Sequence, residues 1–503
     1  MAPVLLRPRA ADLKVIGLYT GRIILGVGLL MAVPLATALV ASEWRPAVDF
    51  VIGMCACLAF GLLAEITCRT AREPTWTHGL VVAGFSWLAA TAIGAIPHWL
   101  SGHYGSYLDA MFDMMSGYTT TGLILIQDLD HVSHALNMWR HLLTYAGGQG
   151  IIVIALTFLV GSASGAYPMY VGEGKDERLL PNVIRTARAI WLVSLVYLAV
   201  GTPILWIIAV ANGQSAARGI LHALWISMSG WSTGGFAPQS YNTYYYHSLV
   251  FEVATVIIFV AGSLNFALHW AVWTGRRGEI RRNIETISFA ITMTIVMLVT
   301  TTGLMKLGVY PDFLAALRKM FYQVVSGHTT TGYSTIYSRA FVQQWGPVAM
   351  LGITLAMAIG ASACSTAGGF KGIRVGLVFK GLVLSVRRDL APERARVVVK
   401  WHHLRTRVLD EAAISSAMLI VICYVALYAL GTLAGVLCGY PLIEALFDAV
   451  SAGSNSGLSC GVTSPAMPAL LKVVYIMEMW AGRLEFMSVF ALGGYVISIV
   501  GGR

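Results

Sequence analysis

The sequence predicts an all-α integral membrane protein in which four pseudo-repeated units surround one pore and two extra helices precede the first unit. Its 503 residues are 57% hydrophobic and only 12% charged, whereas soluble chains carry about 25% charged residues. A short polar phrase rich in Ser, Thr and Gly recurs four times, each time after an apolar run that is too short to span a bilayer. Longer apolar runs flank every copy. Each unit is therefore predicted as helix, re-entrant pore helix, filter loop and helix.

Apolar runs and basic clusters divide the chain into five regions. They are residues 1–72, with two extra N-terminal transmembrane helices; 73–172, pore unit 1; 173–283, pore unit 2; 284–405, pore unit 3 with an intramembrane gating loop; and 406–503, pore unit 4. Together they predict ten spanning helices and four re-entrant half-helices. All the basic clusters, such as 276–282 and 387–407, fall on one side of this arrangement. The positive-inside rule assigns that side, with the N- and C-termini, to the cytoplasm.

Each span is predicted from a long run with few charges, and each pore helix from a short run directly before a phrase. The spans are 15–41, 50–66, 79–100, 142–159, 189–212, 253–275, 286–305, 341–370, 412–437 and 473–500. The pore helices end near 115, 228, 325 and 450. Asp113 and Asp448 lie three residues before the phrase serine in two pore helices, and we expect them to brace the filter by hydrogen bonding.

The repeated phrase offers backbone and hydroxyl oxygens rather than carboxylates. The candidate ion-binding residues are Thr119, Thr120, Thr121, Gly122, Ser232, Thr233, Gly234, Gly235, Thr329, Thr330, Thr331, Gly332, Ser454, Asn455, Ser456 and Gly457. Carbonyl oxygens from four such loops can replace the hydration shell of a cation, and the pore helices direct their negative ends towards it. The absence of Asp and Glu favours a weakly hydrated monovalent ion. Small-residue helix packing is the alternative, but it explains one copy better than four.

These phrases resemble the filters of the Trk/Ktr/HKT superfamily of potassium transporters, and the two extra N-terminal helices resemble its Trk branch. The resemblance covers nearly the whole chain. It implies potassium uptake across the plasma (inner) membrane of a prokaryote, with potassium ions bound in the filter. In that family, glycine at the aligned position of all four filters is associated with preference for potassium over sodium, and all four glycines are present here. The fourth filter departs from the Thr-rich form at Asn455.

Two further stretches resemble the gate of this family. The small-residue segment that interrupts the third return helix resembles an intramembrane gating loop; its candidate residues are Gly360, Ser362, Cys364, Ser365, Thr366, Gly368, Gly369 and Lys371. Arg483 resembles the family's basic residue below the filter, where it would limit cations or hold the loop. The alternatives are a helix kink at small residues and a structural pair of Arg483 with Glu478 or Glu485.

The resemblance also implies partners. No nucleotide-binding motif occurs, so ATP, ADP or NAD would act only through a separate cytosolic nucleotide-binding regulatory subunit. The membrane subunit is expected as a homodimer in the lipid bilayer. The basic segment 387–407 is a candidate docking face, although topology alone explains its charge equally well. We expect no covalent cofactor and no nucleic-acid partner despite the net charge of +10.

Three alternatives stay open from the sequence. The first is a member of the same superfamily that is permeable to sodium or that couples potassium to sodium or protons, and the second is the potassium-binding subunit of a primary pump. The third is a membrane enzyme or receptor, which no constellation of metal ligands or nucleophiles supports. We therefore expect a protein that is not an enzyme.

Overall fold

The computed structural model describes residues 9–150, 171, 183–392 and 394–500. In that part, seven helices are long and apolar enough to cross a membrane, and two bent helix pairs raise the number to nine if each pair is one span. These nine correspond to nine of the ten predicted spans. The other predicted span, 142–159, begins within a described helix and ends outside the described residues. The predicted all-α membrane fold is confirmed.

The helices and strands alternate between long elements and the short pore helices. In chain order they are α1 (Ala10–Leu30), α2 (Ala32–Val40), α3 (Trp44–Thr67), α4 (Trp76–Gly94), α5 (Ile96–Leu100), α6 (Tyr107–Tyr118), α7 (His134–Gln149), α8 (Val183–Ala211), α9 (Ala216–Trp231), α10 (Leu249–Gly262), α11 (Phe266–Trp273), α12 (Glu279–Arg282), α13 (Ile284–Leu307), α14 (Phe313–His328), α15 (Gly346–Ile359), α16 (Gly372–Asp389), β1 (Lys400–His403), β2 (Arg405–Val408), α17 (Glu411–Leu437), α18 (Leu442–Gly453), α19 (Ala469–Arg483) and α20 (Met487–Val500).

The four pore helices are α6, α9, α14 and α18, each 12 or 16 residues long. Three of them begin at a residue whose side-chain oxygen accepts a backbone N–H of the first turn: Ser106, Ser215 and Asp312. Such caps satisfy donors that have no partner within the helix. Every pore helix ends three residues later than predicted, because the first three phrase residues are helical. The filter loops are correspondingly shorter.

Two return helices that the sequence predicted as continuous are broken, so that prediction was wrong. The axes of α10 and α11 differ by 97°, and those of α19 and α20 by 116°. At the first break, Asn265 caps α11 by accepting the N–H of Ala267. At the second, Glu485 and Phe486 have φ of 52° and 72°, a region that L-residues rarely adopt. Gly262 ends α10 at the first break, whereas residues 484–486 at the second break include neither glycine nor proline.

The third return helix is interrupted as well. A five-residue π-helical turn, Phe341–Trp345, precedes α15. The whole segment 360–371, which we call the gate loop, is non-helical before α16 begins at Gly372. The third return helix therefore contains a non-helical segment and not the simple helix kink that was the alternative.

A small antiparallel hairpin, β1–β2, is the one sheet in the described residues and was not predicted. Leu404 makes its turn with φ of 56°. The hairpin lies within the basic segment that the sequence assigned to a cytoplasmic connection.

Candidate functional site

The four filter loops share one backbone conformation. The second residue of each filter has a positive φ of 50° to 56°; these residues are Thr120, Thr233, Thr330 and Asn455. The third residue of each filter donates its backbone N–H to the carbonyl oxygen of the phrase serine, over 2.8 to 2.9 Å. Four copies of the same strained turn show that the sequence repeat is also a structural repeat.

The last glycines of the four filters form a closed ring. Their φ values lie between 66° and 92°. A Cβ atom on Gly122 would lie less than 3.0 Å from the carbonyl oxygen of Gly234 in the second filter. The same relation joins Gly235 to the third filter, Gly332 to the fourth and Gly457 back to the first. The filters therefore meet around a single axis, and each glycine allows the next filter to approach.

The filters are lined by oxygen atoms and carry no charged side chain. In the first filter the hydroxyls of Thr119 and Thr121 are 2.8 Å apart, and in the third the hydroxyls of Thr329 and Thr331 have the same spacing. All four pore helices point their C-terminal ends at the ring, where the helix dipole is negative. This set of ligands suits a cation bound by carbonyl oxygens.

Asn455 links the diverged fourth filter to the first. Its Nδ2 donates to Oγ1 of Thr121 over 3.0 Å and to the carbonyl oxygen of Met479 over 2.9 Å. A threonine hydroxyl carries only one proton and could not donate to both acceptors. The asparagine that interrupts the Thr-rich pattern therefore has a defined position between filter 1 and α19.

The gate loop lies directly against one end of the filters. The hydroxyl of Thr120 donates to the carbonyl oxygen of Thr366 over 3.4 Å. The hydroxyl of Thr233 donates to the hydroxyl of Thr366 over 3.0 Å. The backbone N–H of Gly368 donates to Oγ1 of Thr330 over 2.8 Å. Gly368 also packs against Ser454 and Asn455. The second residue of every filter thus contacts the loop.

Other predicted loop residues brace the loop and its neighbours. Gly360 and Gly369 pack against each other at its base, both with positive φ. Ser365 donates its hydroxyl to the carbonyl oxygen of Ser362 over 2.6 Å. The N–H of Ser362 donates to Ser263, and the carbonyl oxygen of Cys364 accepts from Phe266. The loop is therefore hydrogen-bonded to the break between α10 and α11.

Arg483 lies where the gate loop, the first filter and α7 meet, and the residue is 8% exposed. One terminal nitrogen donates to the carbonyl oxygen of Thr366 over 2.7 Å and lies 3.3 Å from Oγ1 of Thr120. The other donates to the carbonyl oxygens of Gly147 and Gly148 over 2.6 and 3.2 Å. The arginine thus contacts both the loop and the filter.

Glu485 was an alternative partner of Arg483 in the sequence analysis, but in the structure it pairs with two other cations. Its carboxylate lies 2.7 Å from Nζ of Lys371, the last residue of the gate loop, and also contacts Arg374. All three side chains are at most 13% exposed. Burying a charge is costly unless it is paired with an opposite charge. The three paired side chains therefore hold the end of the loop at the break between α19 and α20.

Asp113 and Asp448 form hydrogen bonds beside the filters. Asp113 accepts from the hydroxyl of Tyr104 over 2.8 Å and from Nε of Arg140 over 3.2 Å. Asp448 accepts from the backbone N–H groups of Cys460 and Thr463. Both carboxylates hold the segment around a filter and lie outside the ring.

Sequence reasoning missed Asn242 at the opposite end of the filters. Its Nδ2 donates to the carbonyl oxygen of Gly235 over 3.1 Å, and its Oδ1 accepts from the N–H of Ser334 over 3.2 Å. Asn242 also has φ of 53°, which asparagine tolerates better than most residues. That tolerance is the one signal the sequence carried, and it is common to many loops.

Comparisons with known proteins agree with this architecture. A family model described as a cation transport protein matches residues 47–493. An uncharacterized cation transporter of Methanocaldococcus jannaschii is 31% identical over 416 residues, which are 82% of each chain. The Trk system potassium uptake protein TrkH of Halomonas elongata is 26% identical over 493 residues, 96% of this chain and 98% of that protein. The crystal structure of the potassium transporter TrkH from Vibrio parahaemolyticus shares the fold with a TM-score of 0.79 and 24% identity, over 95% and 98% of the two chains.

Proposed function

This chain belongs to the TrkH family of cation transport proteins, and we propose that it takes up potassium through a selective, gated pore lined by its four filter loops. It is a multi-pass protein of the cell membrane. The observation that carries the proposal is the closed ring of Gly122, Gly235, Gly332 and Gly457, since it brings four sets of carbonyl oxygens around one axis. Relatives that cover most of the chain are named as Trk system potassium uptake proteins.

Potassium ions would bind at the filter residues without any side-chain carboxylate. A weakly hydrated monovalent cation can exchange its water for carbonyl and hydroxyl oxygens. A membrane potential that is negative inside would drive its entry with about 2.3 kcal/mol per 100 mV. No covalent cofactor and no enzymatic step are needed for this permeation.

The gate loop would keep the pore closed. Thr366 and Gly368 lie across the inner end of the filters, and Arg483 places a positive charge beside them. An ion leaving the filters would meet both the loop and this charge. Opening would therefore require the loop to move away from the filters and Arg483 to release Thr366.

Regulation would come from a second protein. We assign the control by ATP, ADP or NAD to a cytosolic nucleotide-binding subunit of the Trk type, and the membrane subunit to a homodimer. Both termini and the hairpin β1–β2 would then face the cytoplasm, since the basic clusters lie on that side. The coupled symporter and the pump subunit are not favoured, because the named relatives are uptake proteins and Gly122 retains the glycine of the first filter.

Rubidium flux into proteoliposomes tests the proposal. The purified protein, with protein-free liposomes as the control, should admit rubidium, and external potassium should block this flux far more strongly than sodium. Equal competition by sodium would contradict a potassium-selective pore. If an inside-negative potential drives no flux above that of the protein-free control, uptake by this chain alone is contradicted.

A further inference from the structure

A cavity of about 620 Å³ lies beyond the gate loop, on the side away from the filters. It is lined by α11, α16, the start of α17 and the hairpin β1–β2, and it is open on one side. Ala363 of the gate loop and Glu485 also line it. Its size is within the range of small-molecule sites, and the potassium pathway described above does not account for its lining.

The hairpin turns one face to this cavity. Its register pairs Trp401 with Arg407 and His403 with Arg405. Residues directly opposite in an antiparallel pair share a face of the sheet. All four of these residues line the cavity, whereas His402 on the other face bonds to Glu279. The alternation of the sequence therefore places an aromatic ring, a histidine and two arginines together.

The lining is strongly positive. Arg276 and Arg374 add to the two hairpin arginines, and among the described residues that line the cavity Glu485 alone is acidic. Glu485 already pairs with Lys371 and Arg374. Within the described part of the chain, the guanidinium groups of Arg276, Arg405 and Arg407 form no ion pair with a carboxylate. A potassium ion would be repelled here, whereas an anion would be attracted.

Membrane topology explains basic residues on this side of the bilayer, but it does not explain their concave arrangement. The cavity brings together arginines from α16, from the hairpin and from the connection between α11 and α12. The indole nitrogen of Trp401, a buried residue, has no hydrogen-bond acceptor among the residues that the structure describes. A buried donor without an acceptor is a feature that a ligand can satisfy.

We propose that this cavity binds a phosphate-bearing anion held by Arg276, Arg405 and Arg407. The planar guanidinium fork matches the oxygens of a phosphate in pairs, and several forks around one cavity suit a group with more than one negative charge. The phosphate belongs either to a soluble di- or triphosphate or to the headgroup of an anionic lipid. Its chemistry is the same in both cases.

Such a ligand would also reach the gate. Arg374 faces the same cavity, so the phosphate competes with Glu485 for its guanidinium. This competition loosens the cluster that holds Lys371 at the end of the gate loop. The effect on the gate depends on the function proposed above, whereas the binding does not.

Calorimetry with inorganic pyrophosphate tests the binding. The protein is placed in nanodiscs of zwitterionic lipid and compared with the double variant Arg405→Gln/Arg407→Gln. Loss of charge-assisted hydrogen bonds should weaken binding by about tenfold or more. The matched control is Arg281→Gln/Arg282→Gln, which removes the same charge from the exposed helix α12 outside the cavity. We expect this control to bind within about twofold of the unmodified protein.

A second experiment, which detects bound lipid, distinguishes the two sources of phosphate. Native mass spectrometry after purification from membranes with phosphatidylglycerol should show anionic lipid that the hairpin variant loses and the control variant retains, if a lipid is the ligand. The proposal is overturned if neither pyrophosphate nor anionic lipid distinguishes the two double variants, or if only an acidic peptide binds. Rubidium flux with and without the bound probe then reports the gate. An absence of flux in every sample would contradict the proposed function but leave the binding result decisive.

Discussion

A nitrogen of the Arg483 guanidinium donates a 2.7 Å hydrogen bond to the carbonyl oxygen of Thr366. The two residues are 117 positions apart in the chain, and they join the last return helix to the middle of the gate loop. The same guanidinium also contacts the first filter and the end of α7. One side chain therefore couples the position of the loop to the filter that the loop covers.

Replacing Arg483 by glutamine should raise rubidium flux in the absence of any regulatory partner. The variant loses charge-assisted hydrogen bonds to the loop, the first filter and α7, each worth about 1.5–3 kcal/mol, and removes a positive charge from the proposed ion path. Flux into proteoliposomes measures the effect. Arg22→Gln is the control, because Arg22 pairs with Glu65 in the N-terminal spans away from the filters. Flux that falls below that of the unmodified protein would contradict the role of Arg483 in holding the gate.

Gly122→Ser should reduce the preference for potassium over sodium. The new Cβ meets the carbonyl oxygen of Gly234, so the first two filters must move apart. Sodium competition against rubidium flux gives the measurement. Gly213→Ser provides a close control: Gly213 has a φ of 89°, similar to the 92° of Gly122, but a Cβ there meets nothing within 4 Å. The control should retain selectivity, and equal losses in both variants would point to backbone strain alone.

Asn455→Asp should lower both flux and selectivity. The carboxylate keeps the shape of the amide but cannot donate to Thr121 or Met479, so two buried acceptors lose their donor at about 1–3 kcal/mol each. The ratio of rubidium to sodium flux reports the outcome. Asn212→Asp, at an exposed position beyond α8, makes the same chemical change without these contacts. Flux and a rubidium-to-sodium ratio equal to those of the unmodified protein would show that Asn455→Asp leaves the filter intact and that the bridge between filters 4 and 1 is dispensable.

Glu485→Gln should destabilise the fold by about 3–5 kcal/mol, because it leaves Lys371 and Arg374 buried without their anion. Thermal unfolding in detergent measures the loss. Adding Lys371→Met to the variant should recover part of it, since one unpaired cation is then removed. Glu411→Gln breaks the exposed pair with Arg388 and should change stability by no more than about 1 kcal/mol. A Glu485 variant as stable as this control would refute the cluster's structural role.

The pore helices and filters could be predicted because their signals are local. A short apolar run, a Ser-Gly-rich phrase and a glycine with positive φ occupy neighbouring positions, and the phrase repeats four times. Asp113 and Asp448 could be recognised for the same reason. The helix ends were misplaced by three residues because Ser and Gly in the phrase favour loops, whereas packing within the pore keeps them helical.

The breaks in the second and fourth return helices could not be predicted. The first break is held by hydrogen bonds from Ser362 to Ser263 and from Phe266 to Cys364, about one hundred residues along the chain in each case. The second depends on Glu485, whose partners Lys371 and Arg374 lie on another unit. Long-range contacts of this kind override the helical preference of an apolar run.

The sequence by itself determined the membrane class, the four-fold repeat and the glycine that ends each filter. Hydrophobicity, repetition and backbone freedom are properties of residues that are near one another in the chain. Only the tertiary structure decided that Arg483 contacts Thr366 while Glu485 pairs with Lys371 and Arg374, and that Asn455 bridges two filters. These pairings depend on which distant side chains reach hydrogen-bonding distance once the helices have packed, and one sequence does not encode those distances in any local pattern.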